Sequence, residues 1–136
     1  MLNFRGIYFC DKGEPGEGYS CGGASVEALR FFEDGKVVYV GLNLSKADIK
    51  NMSKLADYIQ TWFNSEYVNY GKYSIQENKI IFSINFEHGM VIEYEGIILD
   101  NKLLLKWQEN INANFKIMED EYIFSPFKNK KQKTRT

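Results

Sequence analysis

From Tyr70 to Glu109 polarity alternates almost residue by residue, interrupted only at short turn signals. Ile80, Phe82, Ile84 and Phe86 interleave with Ile81, Ser83, Asn85 and Glu87, the period of a strand with one buried face. Met90, Ile92, Tyr94, Gly96 and Ile98 interleave with Val91, Glu93, Glu95 and Ile97, and Leu103, Leu105 and Trp107 share a face of the next run. Glu77-Asn78, His88-Gly89 and Asp100-Asn101 turn the chain between these runs. Successive hairpins of this kind form an antiparallel meander. Many Ile and Phe residues on its edges would invite aggregation unless the sheet closes on itself.

The first half supplies the strands needed for closure. Two β-rich runs, Leu29–Phe32 and Val37–Val40, flank Asp34-Gly35, a dipeptide suited to the positive φ angles of a tight hairpin turn. Large side chains lie on both faces of both runs. One set therefore belongs inside a barrel and the other under a covering segment. Strands are expected near 4–10, 28–33, 36–42, 70–76, 79–87, 90–99, 102–109 and 115–125. Eight antiparallel strands with short connections predict a mainly β fold, an up-and-down barrel.

Two connections are longer. Asp11 to Gly23 carries five glycines (13, 16, 18, 22 and 23) and Pro15, a length that points to a functional or mobile loop. Between the third and fourth strands, Lys46 to about Phe63 reads as one amphipathic helix capped by Asn43 or Ser45. Ile49, Met52, Leu55, Ala56, Ile59, Trp62 and Phe63 form its apolar face, while Lys50, Lys54, Asp57 and Gln60 lie off it. The helix must lie across the sheet or over an open barrel end.

The chain of 136 residues has single-domain length. Its aromatic share of 15% favours β structure and a ring-lined interior. Lys128, Lys130, Lys131, Lys133 and Arg135 form a basic tail, read as disordered over 128–136. The body, 1–127, is left with twelve cations against eighteen acids. That balance argues against nucleic acid as a partner, because affinity there comes from neutralising phosphates. No run of eighteen apolar residues spans a membrane. Nor does Met1 to Cys10 resemble a signal peptide, so a cytoplasmic, soluble protein is expected unless a leader precedes this sequence. Cys10 and Cys21 then read as two free thiols.

The order of particular residues carries a family likeness. Gly6-x-Tyr8 stands in the first strand, followed by a glycine-bearing loop and Leu29-Arg30-Phe31-Phe32-x-Asp34-Gly35-x-Val37. Gly71-x-Tyr73, Tyr94-x-Gly96 and Asp100-x-x-Leu103 follow. Over residues 4 to 125 this resembles divergent lipocalin-like (calycin) domains, including uncharacterised bacterial ones and the C-terminal barrel of some F-box proteins. Tyr8 stands where most lipocalins carry Trp, the ring that closes the barrel base. The resemblance implies an internal cavity for a small apolar molecule. Related domains serve as protein-interaction modules, and no catalytic residues come with the likeness.

Candidate chemistry is sparse. Gly18-Tyr19-Ser20-Cys21-Gly22 matches Gly-x-Ser-x-Gly, but a nucleophile elbow needs a buried strand before it, and Asp11 to Gly18 is polar. His88, the only histidine, falls in a hairpin turn and reads as solvated. Glu93 and Glu95 share the outer face of a strand and read as a solvated stripe. The glycine-rich loop lacks the Lys-Ser/Thr ending of a phosphate-binding loop. No metal motif is present and no cofactor is implied. The remaining constellation is aromatic: Phe31 or Phe32, Tyr39, Tyr73, Phe82, Phe86, Tyr94, Trp107, Phe115, Tyr122 and Phe124. These rings either fill the interior or line a ligand cavity.

The expectation is a non-enzymatic barrel that binds a small hydrophobic ligand. Tyr73, Phe82, Ile92, Tyr94 and Trp107 are expected to line the site, with loop 13–23 or helix 46–63 gating one end. The alternative is a protein-interaction module with a filled core.

Overall fold

A computed structural model describes residues 1–11, 26–42, 52–59, 69–86, 89–109 and 118–128. The strands run in order: β1 (Gly6–Asp11), β2 (Val26–Phe31), β3 (Lys36–Leu42), β4 (Asn69–Gln76), β5 (Lys79–Asn85), β6 (Val91–Ile98), β7 (Lys102–Glu109) and β8 (Met118–Pro126). Helix α1 (Met52–Ile59) lies between β3 and β4. Each strand pairs antiparallel with the next, and β1 pairs with β8 through Gly6↔Pro126 to Phe9↔Ile123. The barrel is closed. It is the eight-stranded up-and-down fold that the alternation predicts, with strand ends shifted by two or three residues at several places.

Parity divides the side chains into two clusters. Inside the barrel are Tyr8, Cys10, Leu29, Phe31, Val37, Tyr39, Ile80, Phe82, Ile84, Ile92, Tyr94, Leu103, Leu105, Trp107 and Tyr122. Outside, Ile7, Phe9, Val26, Ala28, Val38 and Leu42 pack with Ala56 and Ile59 of α1. This resolves the two-sided hydrophobicity of the β2–β3 hairpin: Phe31 enters the barrel, and Phe32 belongs to the covered outer face. The described turns of the helix lie on the barrel wall. Of the two placements expected for the helix, across the sheet or over a barrel end, residues 52–59 take the first and cover the outer apolar face. The chain after β8 fastens it, since Lys128 N–H donates to Asp57 Oδ1 at 2.8 Å. Phe127 and Phe32 sandwich the Arg30 guanidinium, at 4.8 and 4.7 Å from their ring centroids.

The Asp34-Gly35 turn differs from a two-residue hairpin. Phe32 N–H donates to Lys36 O at 2.9 Å, enclosing a three-residue loop, and Gly35 N–H donates to Phe32 O at 3.1 Å. Gly35 alone takes positive φ, +99°. The Asp34 carboxylate accepts from Lys36 N–H at 3.0 Å, so the aspartate works through its side chain and glycine supplies the left-handed residue.

The two barrel ends are unlike. At one end, short turns join β2–β3, β4–β5 and β6–β7, and each passes a hydrogen bond to the following hairpin. Gly35 O accepts from Tyr73 N–H, Asn78 O from Ile98 N–H, and Asn101 O from Phe124 N–H, all within 2.9 Å. Arg5 O completes the circuit by accepting from Phe127 N–H at 2.9 Å. Residues 1–5 close this end, with Leu2 in the core and Asn3 donating to Tyr8 Oη at 3.0 Å. The strand ends at the opposite end are joined through the longer sequence stretches 12–25, 43–68 and 110–117. Most of them fall outside the described residues, as do the expected features Ser20, Cys21, His88, Trp62, Phe63, Phe115 and Ile117, and the tail from 129.

Gly71 and Gly96 have a physical reason in this barrel. A methyl group on Gly71 would fall on the Ser83 carbonyl oxygen, and one on Gly96 on that of Leu104. Backbone cannot yield as a flexible side chain can. Gly71→Ala and Gly96→Ala are therefore each expected to lower stability by about 1–3 kcal/mol, measurable by urea unfolding. A loss no larger than that of an exposed control on β4, Gln76→Ala, would contradict this packing.

Candidate functional site

Four of the five residues expected to line a site form one cross-strand row. Tyr73 pairs with Phe82, Phe82 with Tyr94, and Tyr94 with Trp107. Ile92 enters the core one inward step from Tyr94 on β6. The Phe82 and Tyr94 rings stack at 4.6 Å and 11°. Phe31 meets Tyr8, Tyr73 and Phe82 edge-on, with centroids 5.4 to 5.6 Å apart. The row is brought together, but its members have different tasks. Tyr73 Oη donates to Phe32 O at 2.6 Å, so this tyrosine latches the β2–β3 turn at the closed end.

Nearer the end with long connections, the interior becomes polar. Glu27 follows the parity of Leu29 and Phe31, points inward and is 2% exposed. Its carboxyl group accepts from Tyr39 Oη at 2.6 Å and from Tyr122 Oη at 2.9 Å. Cys10 is its cross-strand neighbour on β1. Asp120, sharing the parity of Tyr122, accepts from Trp107 Nε1–H at 2.5 Å. Burial first, then the proximity of Tyr94, Glu27, Cys10 and Asp120, pushes the Tyr122 hydroxyl well above the ordinary tyrosine pKa. Strands β1, β2, β3, β6, β7 and β8 thus bring two carboxyl groups, three tyrosines, a tryptophan and a thiol into one region.

A buried carboxyl group is costly unless hydrogen-bonded, and two tyrosine hydroxyls supply those bonds to Glu27, while the Trp107 indole serves the half-buried Asp120. In such surroundings the groups can orient the polar end of an otherwise apolar molecule. Among the described residues, no group of three or more His, Cys, Asp or Glu is placed to hold a metal ion. Glu27 and Asp120 were not among the expected site residues. The signal for Glu27 was its parity with Leu29 and Phe31, hidden because the strand is expected only from residue 28. Asp120 was hidden by the change of parity between Phe115, Ile117 and Tyr122, Phe124.

A concavity lies outside the barrel. An open groove of about 670 Å³ runs over β4–β7, between outward-facing Lys72, Ser83, Glu93, Glu95 and Lys106. Tyr73, Phe82, Tyr94 and Trp107 border it from strands whose side chains they send inward. Comparison with known protein families, with curated proteins and with solved structures finds no match to this chain.

The polar region makes two measurable demands. Tyr122→Phe, removing one donor to a buried carboxyl group, is expected to cost about 1.5–3 kcal/mol at neutral pH; an unchanged denaturation midpoint would contradict the bond. The second concerns alkali. A tyrosine whose folded pKa exceeds its unfolded value holds its proton longer in the native state. Its stabilising contribution is present below the ordinary tyrosine pKa of about 10 and is lost as pH rises through the folded value. Stability should therefore fall above that pH, and less steeply in Tyr122→Phe. Equal slopes for the two proteins in unfolding measured against pH would refute the assignment.

Proposed function

We propose that this barrel is a non-enzymatic, lipocalin-like binding protein that takes a small hydrophobic molecule into the half of its interior facing the long connections. The observation that carries this reading is the asymmetry of the barrel. One end is closed by residues 1–5 and a circuit of turn hydrogen bonds. The other half holds Glu27, Asp120, Tyr39, Tyr122 and Trp107 within an apolar wall. Entry is from the loop-bearing end, past the partly buried Phe86 and Met90. Apolar burial against Ile92, Tyr94 and Trp107 drives binding, and the tyrosine hydroxyls and carboxyl groups set orientation.

A second reading, a protein-interaction module with a filled core, draws on the ring packing. Phe31 touches three other rings at once, which fills that part of the interior without any ligand. The two readings separate in one titration. In a Trp62→Phe background, where Trp107 is the sole tryptophan, its emission should shift saturably with one of three probes: a fatty acid, a retinoid or haem. Flat emission with all three would overturn the ligand reading and favour the module.

A further inference from the structure

The outer wall over β4–β6 has an unusual charge layout. Lys36 of β3 lies directly opposite Lys72 of β4, a like-charge cross-strand pair that opposes the fold. Across the serine floor of the groove, Lys72 is in register with Ser83 and Ser83 with Glu93. Glu95 follows Glu93 on the same face. All four charged residues are exposed. Cations thus flank β5 on one side and carboxylates on the other, at the same level along the strands. Ile81 is 53% exposed and lies on β5 between Ser74 and Glu95; Tyr70, 57% exposed, stands at the cation side beneath Lys36 Nζ, 5.0 Å from its ring centroid.

We infer that this face binds a second copy of the chain, with a two-fold axis running along β5. Rotation about such an axis exchanges the β4 and β6 sides and preserves level along the strand. Lys72 of each copy then meets Glu93 of the other, Tyr70 meets Val91, and the two Ile81 side chains meet on the axis. The contact is isologous: each pair is made twice. Lys79 also lies on β5, one outward position beyond Ile81, and like charges there end the contact. With strands about 4.8 Å apart and outward residues about 6.8 Å apart along each, a patch three or four residues in each direction covers roughly 400 Å² per copy. Stable complexes bury about 800 Å² per partner, so the dimer is weak, favoured by high concentration and low salt.

This inference is one concrete form of the interaction reading and is independent of any interior ligand. Sedimentation velocity from about 10 μM to about 0.5 mM, at about 20 mM salt, should show monomer–dimer exchange that weakens at least tenfold at about 500 mM salt. Lys72→Glu and Glu93→Lys should each weaken self-association at least tenfold. An equimolar mixture of the two should recover it, because every Lys72–Glu93 contact in the mixed dimer is again between opposite charges. The double variant in one chain should recover it too. Both substitutions are on the exposed face, and a retained cooperative thermal transition confirms folding. A monomer throughout, or a dimer indifferent to these exchanges, overturns the proposal. A monomer that still binds a different protein specifically sinks the dimer while sparing the interaction module.

Discussion

The hydrogen bonds between β1 and β8 impose the condition from which the rest follows. Once the first strand pairs with the last, no strand edge is left for another chain to extend, and every strand acquires an inner and an outer face. Inner positions must then be filled, which sets the aromatic content, and outer apolar positions must be covered. The β1–β3 wall cannot face water with Ile7, Phe9, Val38 and Leu42 uncovered. The α1 insertion and Phe127 answer that need, so the helix belongs to the wall.

Closure also explains why the buried Glu27 carboxyl group is tolerable. A tyrosine ring crossing the interior can place its hydroxyl near a residue far away in sequence. Tyr122 reaches Glu27 across 95 positions, and Tyr39 reaches it from the adjoining strand. A half-open sheet would leave one donor remote and the carboxyl group under-satisfied. The polar region therefore depends on the whole barrel, although no single strand contains it.

Period-two alternation made the strands legible, because one-residue errors in face assignment conflict with the hydrophobic pattern. Tyr73, Phe82, Tyr94 and Trp107 were legible as inward residues for the same reason; their being one row depends on register, which turns determine. Glu27 escaped because a buried carboxylate contradicts the usual inward set and only partners distant in sequence make it acceptable. The helix position was legible only as a choice between the sheet and a barrel end, because an apolar stripe states that burial is needed and does not say against which surface.

The circuit from Gly35, Asn78, Asn101 and Arg5 to the neighbouring hairpins has a further consequence for how such a chain can change over generations. An inserted residue in any of these turns would misplace a carbonyl needed by the next hairpin, so indels at this rim disturb neighbours in sequence around the barrel. The opposite rim has no such chain of obligations between its described strand ends. Variation in loop length is channelled to one rim of the barrel while the other acts as a fixed template.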